Sequence, residues 1–344
     1  MDTLTHALSG ALLARATASK NAPPRSLPRR IAAGFFACAA PDLDFVVGFV
    51  GPVEYLELHR GPTHSFLLLP FWALLFSWLL AKILRDPRGW RALYGVTAMG
   101  LALHIAGDWI TSFGTMMFWP LSDARPGLGS TFIIDLWFSG IILAGLLFSV
   151  FFRKTRIPSV AASITLCAYV GFGWLQKQNA LEFARDYARS RGLPDAAIAA
   201  HPRAVTPFNW TVFVSDAREH HFAHVNLRRQ APRSYKEGDG FVARLDSAFQ
   251  PLAMARWHTR SRYGDDPQGK EAWESPQFAF MRWFADRPAL DARTENPVCY
   301  WFIDLRFLNP GRDWMPFQFG VCRESHGAPW RAYERGDGAR PVRR

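Results

Sequence analysis

Long apolar runs dominate the first half of the chain, and shorter alternating runs dominate the second half. A membrane-spanning helix needs about 20 apolar residues, because every backbone polar group must be hydrogen-bonded inside the segment. Four stretches meet that length, namely Ser65–Leu84, Leu93–Ser112, Ile133–Phe152 and Ile157–Gln176. We therefore predict an α-helical polytopic membrane domain over residues 1–176.

Two further apolar segments precede these four stretches and are less suited to span a bilayer. Leu4–Ala16 is too short, and it is predicted to form a short helix. Ile31–Val50 is long enough, but the sequence PDLD at residues 41–44 places two acidic residues inside it. We therefore do not count either segment as a span.

Beyond Gln176 the chain takes on the composition of a soluble domain. Asn179–Arg191 is predicted to form an amphipathic helix, which ends at a Gly-Leu-Pro sequence. Short β-rich runs follow, with a polar and partly helical stretch between the second and the third: Trp210–Val214, Phe222–Leu227, Tyr300–Phe307 and Phe317–Val321. Residues 177–334 are therefore predicted to form a mixed α+β soluble domain, and residues 335–344 a disordered basic tail.

The formal net charge is +11, and its meaning depends on where the basic residues lie. They form short clusters beside apolar segments, including Arg29 and Arg30, then Arg85, Arg88 and Arg91, and then Arg153, Lys154 and Arg156. Cytoplasmic loops of membrane proteins are enriched in Lys and Arg, so these clusters are predicted to be cytoplasmic. Alternation of the spans then places the C-terminal domain on the outer face of the membrane. The short clusters do not form a phosphate-tracking groove, so no nucleic-acid partner is expected.

Four cysteines without a C-x-x-C spacing do not form a thiolate zinc site or a disulfide scaffold. Cys299 and Cys322 flank two of the predicted strands. They can form a disulfide if their domain lies outside the cytoplasm, where the environment is oxidising.

The His and Asp residues of the membrane half carry the strongest chemical signal. Seven of them occur at spacings typical of metal ligands, namely His6, Asp42, Asp44, His59, His64, His104 and Asp108. The last two are four residues apart and therefore lie on one face of a helix. Ionisable groups at membrane depth are costly and need a partner, which a divalent metal supplies. Imidazole and carboxylate ligands favour zinc, with manganese as an alternative, and the number of ligands suits two or three ions.

Arg60 and Asp135 are the candidate catalytic residues beside this set. Arg60 lies between two ligand candidates and can position an anionic oxygen, although a basic residue at a membrane interface also anchors lipid headgroups. Asp135 is the weaker candidate. No Gly-x-Ser-x-Gly motif is present, so a metal-activated water is the expected nucleophile.

Four short blocks carry these residues in a fixed order: MDTLTHALSG at residues 1–10, PDLD at 41–44, HRGPTHS at 59–65 and HIAGD at 104–108. The blocks resemble the bacterial inner-membrane metal-dependent hydrolases of the YdjM type, over about residues 1–150. The resemblance implies a helical metal-binding core similar to that of the zinc-dependent phospholipase C and single-strand nuclease superfamily. It implies the same seven ligands and, more weakly, Asp135, and it gives a reaction class without a substrate.

The sequence therefore predicts a membrane-bound, metal-dependent hydrolase of phosphoesters or other esters. Its expected partners are the lipid bilayer and a small or lipid-like substrate. Two alternatives stay open: a proton-coupled transporter, in which His104, Asp108 and Asp135 form a relay, and a non-catalytic partner-binding protein with a structural metal. A proton relay needs no stoichiometric ion, so metal content separates it from the other two.

The predicted orientation can be tested with a reporter enzyme that is active only outside the cytoplasm. A fusion after Arg344 should be active, because the C-terminal domain is expected on the outer face. The matched fusion after Arg88, in a predicted cytoplasmic link, should be inactive. The reverse pattern, measured as reporter activity per amount of fusion protein, would invert the topology.

Overall fold

The computed structural model describes residues 1–19, 23, 26–310, 315–325, 327–336 and 339–342. The chain divides into two compact units, one of Met1–Val46 and Leu58–Leu175 and the other of Val47–Glu57 and Gln176–Arg344. The sequence assigned residues 47–57 to the first domain, and here the structure differs. The ring of Tyr55 stacks on that of Phe317, with centroids 6.4 Å apart, a contact that sequence separation conceals.

The first half of the chain is helical. Its α-helices are α1 (Thr3–Ala16), α2 (Ser26–Ala39), α3 (Pro52–Leu58), α4 (Leu69–Ile83), α5 (Arg91–Trp109), α6 (Leu136–Phe151) and α7 (Ile157–Ser190). Two 3-10 helices, Ala40–Phe49 and Pro62–His64, lie between them. The predicted short helix at the start is α1, which begins after Asp2 because that side chain accepts the backbone N–H of Thr5.

Three helices approach each other closely at glycines. A Cβ placed on Gly10 of α1 would lie 2.1 Å from the carbonyl oxygen of Gly34 in α2, and one placed on Gly100 of α5 would lie 3.3 Å from that same oxygen. Helices that pack in a membrane often meet in this way, because small residues let the backbones come together. His6 and His104 lie one helical turn from these contacts, on α1 and α5.

Two helical segments of the described residues are long and apolar enough to cross a membrane, Ser26–Phe49 with 24 residues and Ile157–Ser190 with 34. A third is possible if Pro52–His64 and Leu69–Ile83, which are bent by 81° to each other, count as one span. Helix α6 is apolar but only 16 residues long. The structure therefore supports membrane-spanning helices, but a smaller number than the sequence predicted.

The differences from the predicted spans have local causes. The run beginning at Ser65 becomes helical only at Leu69, after the bend, and the run from Ile133 starts its helix only after Asp135. Helix α5 contains glycine, His104 and Asp108, which reduce its apolar character. Conversely, the PDLD sequence does not break the apolar segment before it, because it continues α2 as a 3-10 helix.

Helix α7 replaces two predicted elements. The sequence predicted a span over Ile157–Gln176 and a separate helix over Asn179–Arg191, whereas the structure has one helix of 34 residues. This helix ends before Gly192, which has a φ of +66°. A glycine in this conformation is a common helix C-terminus, because it carries no Cβ that would clash there.

Within its described residues, the second unit contains two five-stranded sheets. The first sheet has the order β1 (Ala197–Pro202), β2 (Asn209–Ser215), β3 (Glu219–Asn226) and β4 (Gln250–Pro251), with β5 (Trp257–Ser261) also paired to β3. The second has the order β10 (Ala339–Pro341), β9 (Arg331–Arg335), β8 (Phe319–Arg323), β7 (Val298–Asp304) and β6 (Pro288–Glu295). In sequence, the short helix α8 (Phe241–Ser247) lies between β3 and β4, and α9 (Pro267–Glu274) and α10 (Ala279–Phe284) lie between the two sheets. The predicted mixed α+β architecture is confirmed.

A shared hydrophobic core joins the two sheets. Phe213 and Phe222 of the first sheet pack with Ala289 and Ile303 of the second, and all four side chains are buried. The four predicted β-rich runs correspond to β2, β3, β7 and β8. The other six strands are short or polar, so alternation alone did not reveal them.

The C-terminal tail departs from its prediction. Residues 339–341, which were expected to be disordered, pair with β9 in an antiparallel arrangement. A neighbouring strand offers them backbone hydrogen bonds that tail composition does not indicate. Of the predicted tail, residues 337, 338, 343 and 344 lie outside the described residues.

A disulfide joins Cys299 of β7 to Cys322 of β8, as the sequence allowed. The two residues are directly opposite each other in the sheet, with Cα atoms 4.0 Å apart. Replacing Cys299 by Ser should lower the free energy of unfolding by about 3 kcal/mol, because the bridge closes a loop of 23 residues' separation in the unfolded chain.

Denaturant unfolding of the full chain, followed by tryptophan fluorescence, measures this effect. The control is Cys167→Ser, which changes a free and exposed thiol and should leave the midpoint unchanged. A reductant should bring the wild type down to the level of the Cys299→Ser variant. Equal midpoints under oxidising conditions would show that the bridge does not form.

Candidate metal centre

Four predicted ligands converge inside the first unit. His6 on α1, Asp42 in the 3-10 helix, and His104 and Asp108 on α5 each offer a ligand atom, and these atoms all lie within 4.8 Å of one another. The side chains of His6, His104 and Asp108 are buried. The helical spacing that the sequence indicated places the last two on the same side of α5.

His64 joins this group from a different segment. Its Nε2 atom lies 2.9 Å from Nε2 of His104 and 3.2 Å from Oδ2 of Asp108. The residue is fully buried at the end of the 3-10 helix Pro62–His64. The turn expected from Gly61 and Pro62 is therefore present, and it brings a third imidazole to the cluster.

Asp44 and His59 lie at the edge of this cluster. Nδ1 of His59 is 2.7 Å from Oδ1 of Asp44, while Oδ2 of Asp44 accepts the hydroxyl of Thr63 at 2.9 Å and lies 3.4 Å from Nδ1 of His64. Asp44 thus holds His64 from behind, whereas Asp42 reaches His104. The two aspartates contact different sides of the site, although they are only two residues apart.

The hydrogen bonds around the imidazoles leave lone pairs that face each other. Nδ1 of His104 lies 2.6 Å from the carbonyl oxygen of Cys38, to which it must donate, so its Nε2 carries a lone pair. Nδ1 of His64 contacts the Thr63 oxygen, whose own proton is given to a carboxylate, and again Nε2 is left as the acceptor. Oδ2 of Asp108 is buried and has no hydrogen-bond donor within the described structure.

Three electron-rich atoms therefore converge without a proton between them. Such an arrangement is unfavourable in a buried site unless a cation occupies the space. Histidines that bind metals typically donate their second ring N–H to a carbonyl or carboxylate group. His104 donates in this way to the Cys38 carbonyl, and His64 is linked to Asp44 through the Thr63 hydroxyl. The donor set accordingly fits a divalent ion such as zinc or manganese.

Arg60 brings a buried positive charge to the same carboxylate. Its side chain is 2% exposed, and its guanidinium lies 2.9 Å from Oδ1 of Asp108. The residue has a φ of +61°, a conformation that costs a non-glycine residue free energy and occurs mostly at functional sites. Hydrogen bonds to both sides hold it there, since its N–H donates to Asp44 and its carbonyl accepts from Met116.

A second arginine lies close to Arg60. The guanidinium of Arg60 stacks 4.6 Å from the ring centroid of Phe113, and that of Arg125 stacks 4.7 Å from the same ring. Nε of Arg60 is buried and makes no hydrogen bond in the described structure. Gly114 allows this packing, because a Cβ there would lie 2.4 Å from the carbonyl oxygen of Arg125.

Asp135 does not join the converging ligands, and its predicted catalytic role is not retained. Its carboxylate accepts the backbone N–H groups of Trp137 and Phe138 at the start of α6. The hydroxyl of Tyr169 donates to both carboxylate oxygens, at 3.0 and 2.9 Å. A side chain with this many partners caps a helix, and the sequence IID followed by an apolar run is compatible with that role.

Several contributors to the site were not found from the sequence. Cys38 takes part through its backbone carbonyl, which has no sequence signature. Thr3 donates to Asp42 at 2.7 Å, and Arg125 lies in a polar link where nothing distinguished it from a surface residue. Only the approach of distant segments reveals these three.

Comparison with known proteins supports a membrane family for the first half of the chain. A family described as YdjM inner membrane protein matches residues 1–180. A protein of Bacillus subtilis (strain 168), named "Uncharacterized protein YfhP", is 26% identical over 155 residues, which cover 41% of this chain and 47% of that protein. The chain thus matches about half the length of this relative. No solved structure matches the chain.

Metal analysis of the purified full chain tests the site. We expect at least one equivalent of zinc or manganese in the wild type, and its loss in His104→Ala and Asp108→Ala, because each variant removes a converging ligand. Asp135→Asn is the matched control, since it neutralises a carboxylate outside the cluster and should retain the metal. Mass spectrometry of metals after reconstitution provides the measurement. A metal-free wild type would reject the site.

A second variant distinguishes a residue that orients a ligand from the ligands themselves. Asp44→Asn should still bind the metal but with roughly 10-fold to 100-fold lower affinity, because residues that orient a ligand typically contribute that much. Competition with a chelator of known affinity gives the value. An unchanged affinity would mean that Asp44 does not orient His64.

Proposed function

Because this chain belongs to the YdjM inner membrane protein family, we propose that its first half is a membrane-bound, metal-dependent hydrolase of phosphoesters or other esters. The observation that carries this proposal is the convergence of two lone-pair imidazoles and the unpartnered oxygen of Asp108 beside the Arg60 guanidinium. A structural metal would explain the first feature, but it would not explain the buried positive charge at its edge.

The residues that would hold the ion are His6, Asp42, His64, His104 and Asp108. A divalent metal in such a site supplies a water of lowered pKa and polarises the ester that is attacked. From the number of candidate ligands, we predict that two or three ions bind. The three buried histidines come from three separate segments, so the site is formed only when the helices pack.

Arg60 and Arg125 would position the anionic oxygens of the substrate. Their guanidinium groups share the ring of Phe113, and Nε of Arg60 is available as a donor. Donors that are already in place when negative charge develops stabilise the transition state more than the ground state. This arrangement favours a phosphoester over a neutral ester, because two cations lie near the cluster.

His59 would move the proton. Its ring is partly exposed, at 12%, and its Nδ1 contacts Asp44 at 2.7 Å. A carboxylate that contacts a histidine in this way fixes the orientation of the ring, so that His59 could give a proton to a leaving group. The other histidines of the site are enclosed.

The proposed location is a multi-pass arrangement with the catalytic site and the C-terminal domain toward the outer face. The two apolar segments and the bent pair described above support several crossings. The Cys299–Cys322 disulfide supports the outer face, because such bridges persist in oxidising compartments.

A proton-coupled transporter is the second candidate, and one observation favours it. His6, His104, His64 and Asp108 form a continuous buried chain with neighbouring atoms 2.9 to 3.6 Å apart, which suits proton transfer without a metal. Asp135 does not extend this chain, since its oxygens are engaged by Tyr169. Stoichiometric metal in the purified protein would exclude this reading.

Hydrolysis of a chromogenic phosphodiester by the metal-loaded full chain tests the enzyme proposal. Arg60→Gln should lower kcat/KM by about 100-fold to 1000-fold, because removal of one preorganised donor typically costs that much. The same variant should retain metal, which separates loss of catalysis from loss of the site. Asp135→Asn should keep the wild-type rate. If the metal-loaded wild type hydrolyses no phosphoester or carboxylic ester, the hydrolase proposal fails.

A further inference from the structure

A large basic pocket lies in the first unit beside the start of α7. Its volume is about 1260 Å³. Five basic residues line it, namely Arg15, Arg30, Arg153, Lys154 and Arg156, and the first turns of α7 contribute apolar side chains. None of these residues belongs to the candidate metal centre.

The positive charge of this pocket is not neutralised within the described part of the chain. Arg15 is buried, and its guanidinium donates to the carbonyl oxygens of Arg153 and Thr155 at 2.8 and 2.6 Å. Arg30 likewise donates to the hydroxyl of Thr17 at 2.8 Å. Carbonyls and hydroxyls satisfy the N–H groups but carry no charge, and no described carboxylate forms an ion pair with any of the five basic residues. The pocket is therefore suited to an anion.

The apolar wall of the pocket continues along α7. Ile157, Ala161 and Ile164 line it at intervals that place them on one helix face, and the two isoleucines are 69% and 65% exposed. A second groove of about 380 Å³, bounded by Phe148 and Phe152 among others, is also lined by Ala161. The charged pocket and the apolar groove therefore share one lining residue, Ala161.

We propose that this site binds one anionic glycerophospholipid, with its phosphate in the basic pocket and an acyl chain along the grooves at Ala161. A free phosphate would match the charges but leave the apolar wall unused, and an uncharged lipid would match only the wall. Lys154 and Arg156 also precede the N-terminus of α7, where the helix macrodipole favours a bound anion. Basic pockets between helices on the cytoplasmic side are known to take phospholipid headgroups. This inference does not depend on the proposed hydrolase activity.

Native mass spectrometry of the detergent-purified full chain with added phosphatidylglycerol tests the site. The variant Lys154→Gln/Arg156→Gln should bind this lipid about 25-fold more weakly, because each basic residue near an anionic lipid contributes about fivefold. The matched control is Arg85→Gln/Arg91→Gln, which removes the same charge from another link and should stay within about twofold of the wild type. Equal losses in both variants would mean that overall charge attracts the lipid, and the site would be rejected.

Two further arms identify the ligand. Ala161→Trp fills the groove at an exposed position without changing charge, and it should weaken phosphatidylglycerol binding. Unchanged binding in this variant would remove the acyl chain from the proposal. Inorganic phosphate should fail to displace the lipid at millimolar concentration; displacement would identify a free-anion site and overturn the proposal. Equal binding of phosphatidylcholine would overturn it as well. Circular dichroism of each variant verifies that it is folded.

Discussion

The close contact of α1, α2 and α5 at Gly10, Gly34 and Gly100 is the constraint on which the rest of the first unit depends. A side chain at any of the three positions would meet backbone or Cβ atoms of a neighbouring helix within 3.3 Å, so the helices would have to separate. His6 and His104 lie one turn from this contact, and their rings stack with centroids 3.8 Å apart. The packing of these helices at small residues therefore also brings the residues of the candidate metal centre together.

That packing creates a second requirement, which is electrostatic. Backbone and side-chain acceptors orient His64 and His104 so that their unprotonated nitrogens face each other and the free oxygen of Asp108. In a solvent-exposed site, water could donate hydrogen bonds to these acceptor atoms, but these side chains are buried. A divalent cation would satisfy this requirement, and Arg60 adds a charge that a structural ion would not need. The chemistry proposed for the site follows from this unfavourable arrangement of buried groups.

The two halves of the chain are suited to different environments, the lipid bilayer and water. Helices of the first half expose large apolar side chains, such as Phe71 and Trp78 on α4 and Phe151 on α6, as a lipid-facing surface does. The second unit buries aromatic residues such as Phe213 and Phe222 in a core shared by two sheets, and it is cross-linked by a disulfide. The basic pocket beside α7 lies where a cationic link is followed by an apolar helix. Regions of this composition contact the headgroups of anionic lipids.

The sequence by itself determined the helical first half, the mixed second half, the pairing of Cys299 with Cys322 as a possibility, and the residues of the cluster, because spacing along a helix or around a turn is a local property. Tertiary structure decided which groups meet. It placed Asp42 at His104 and Asp44 behind His64, assigned Asp135 to a helix cap, and brought in the Cys38 carbonyl and Arg125. These pairings depend on contacts between segments far apart in sequence, and residue type and spacing do not predict such contacts.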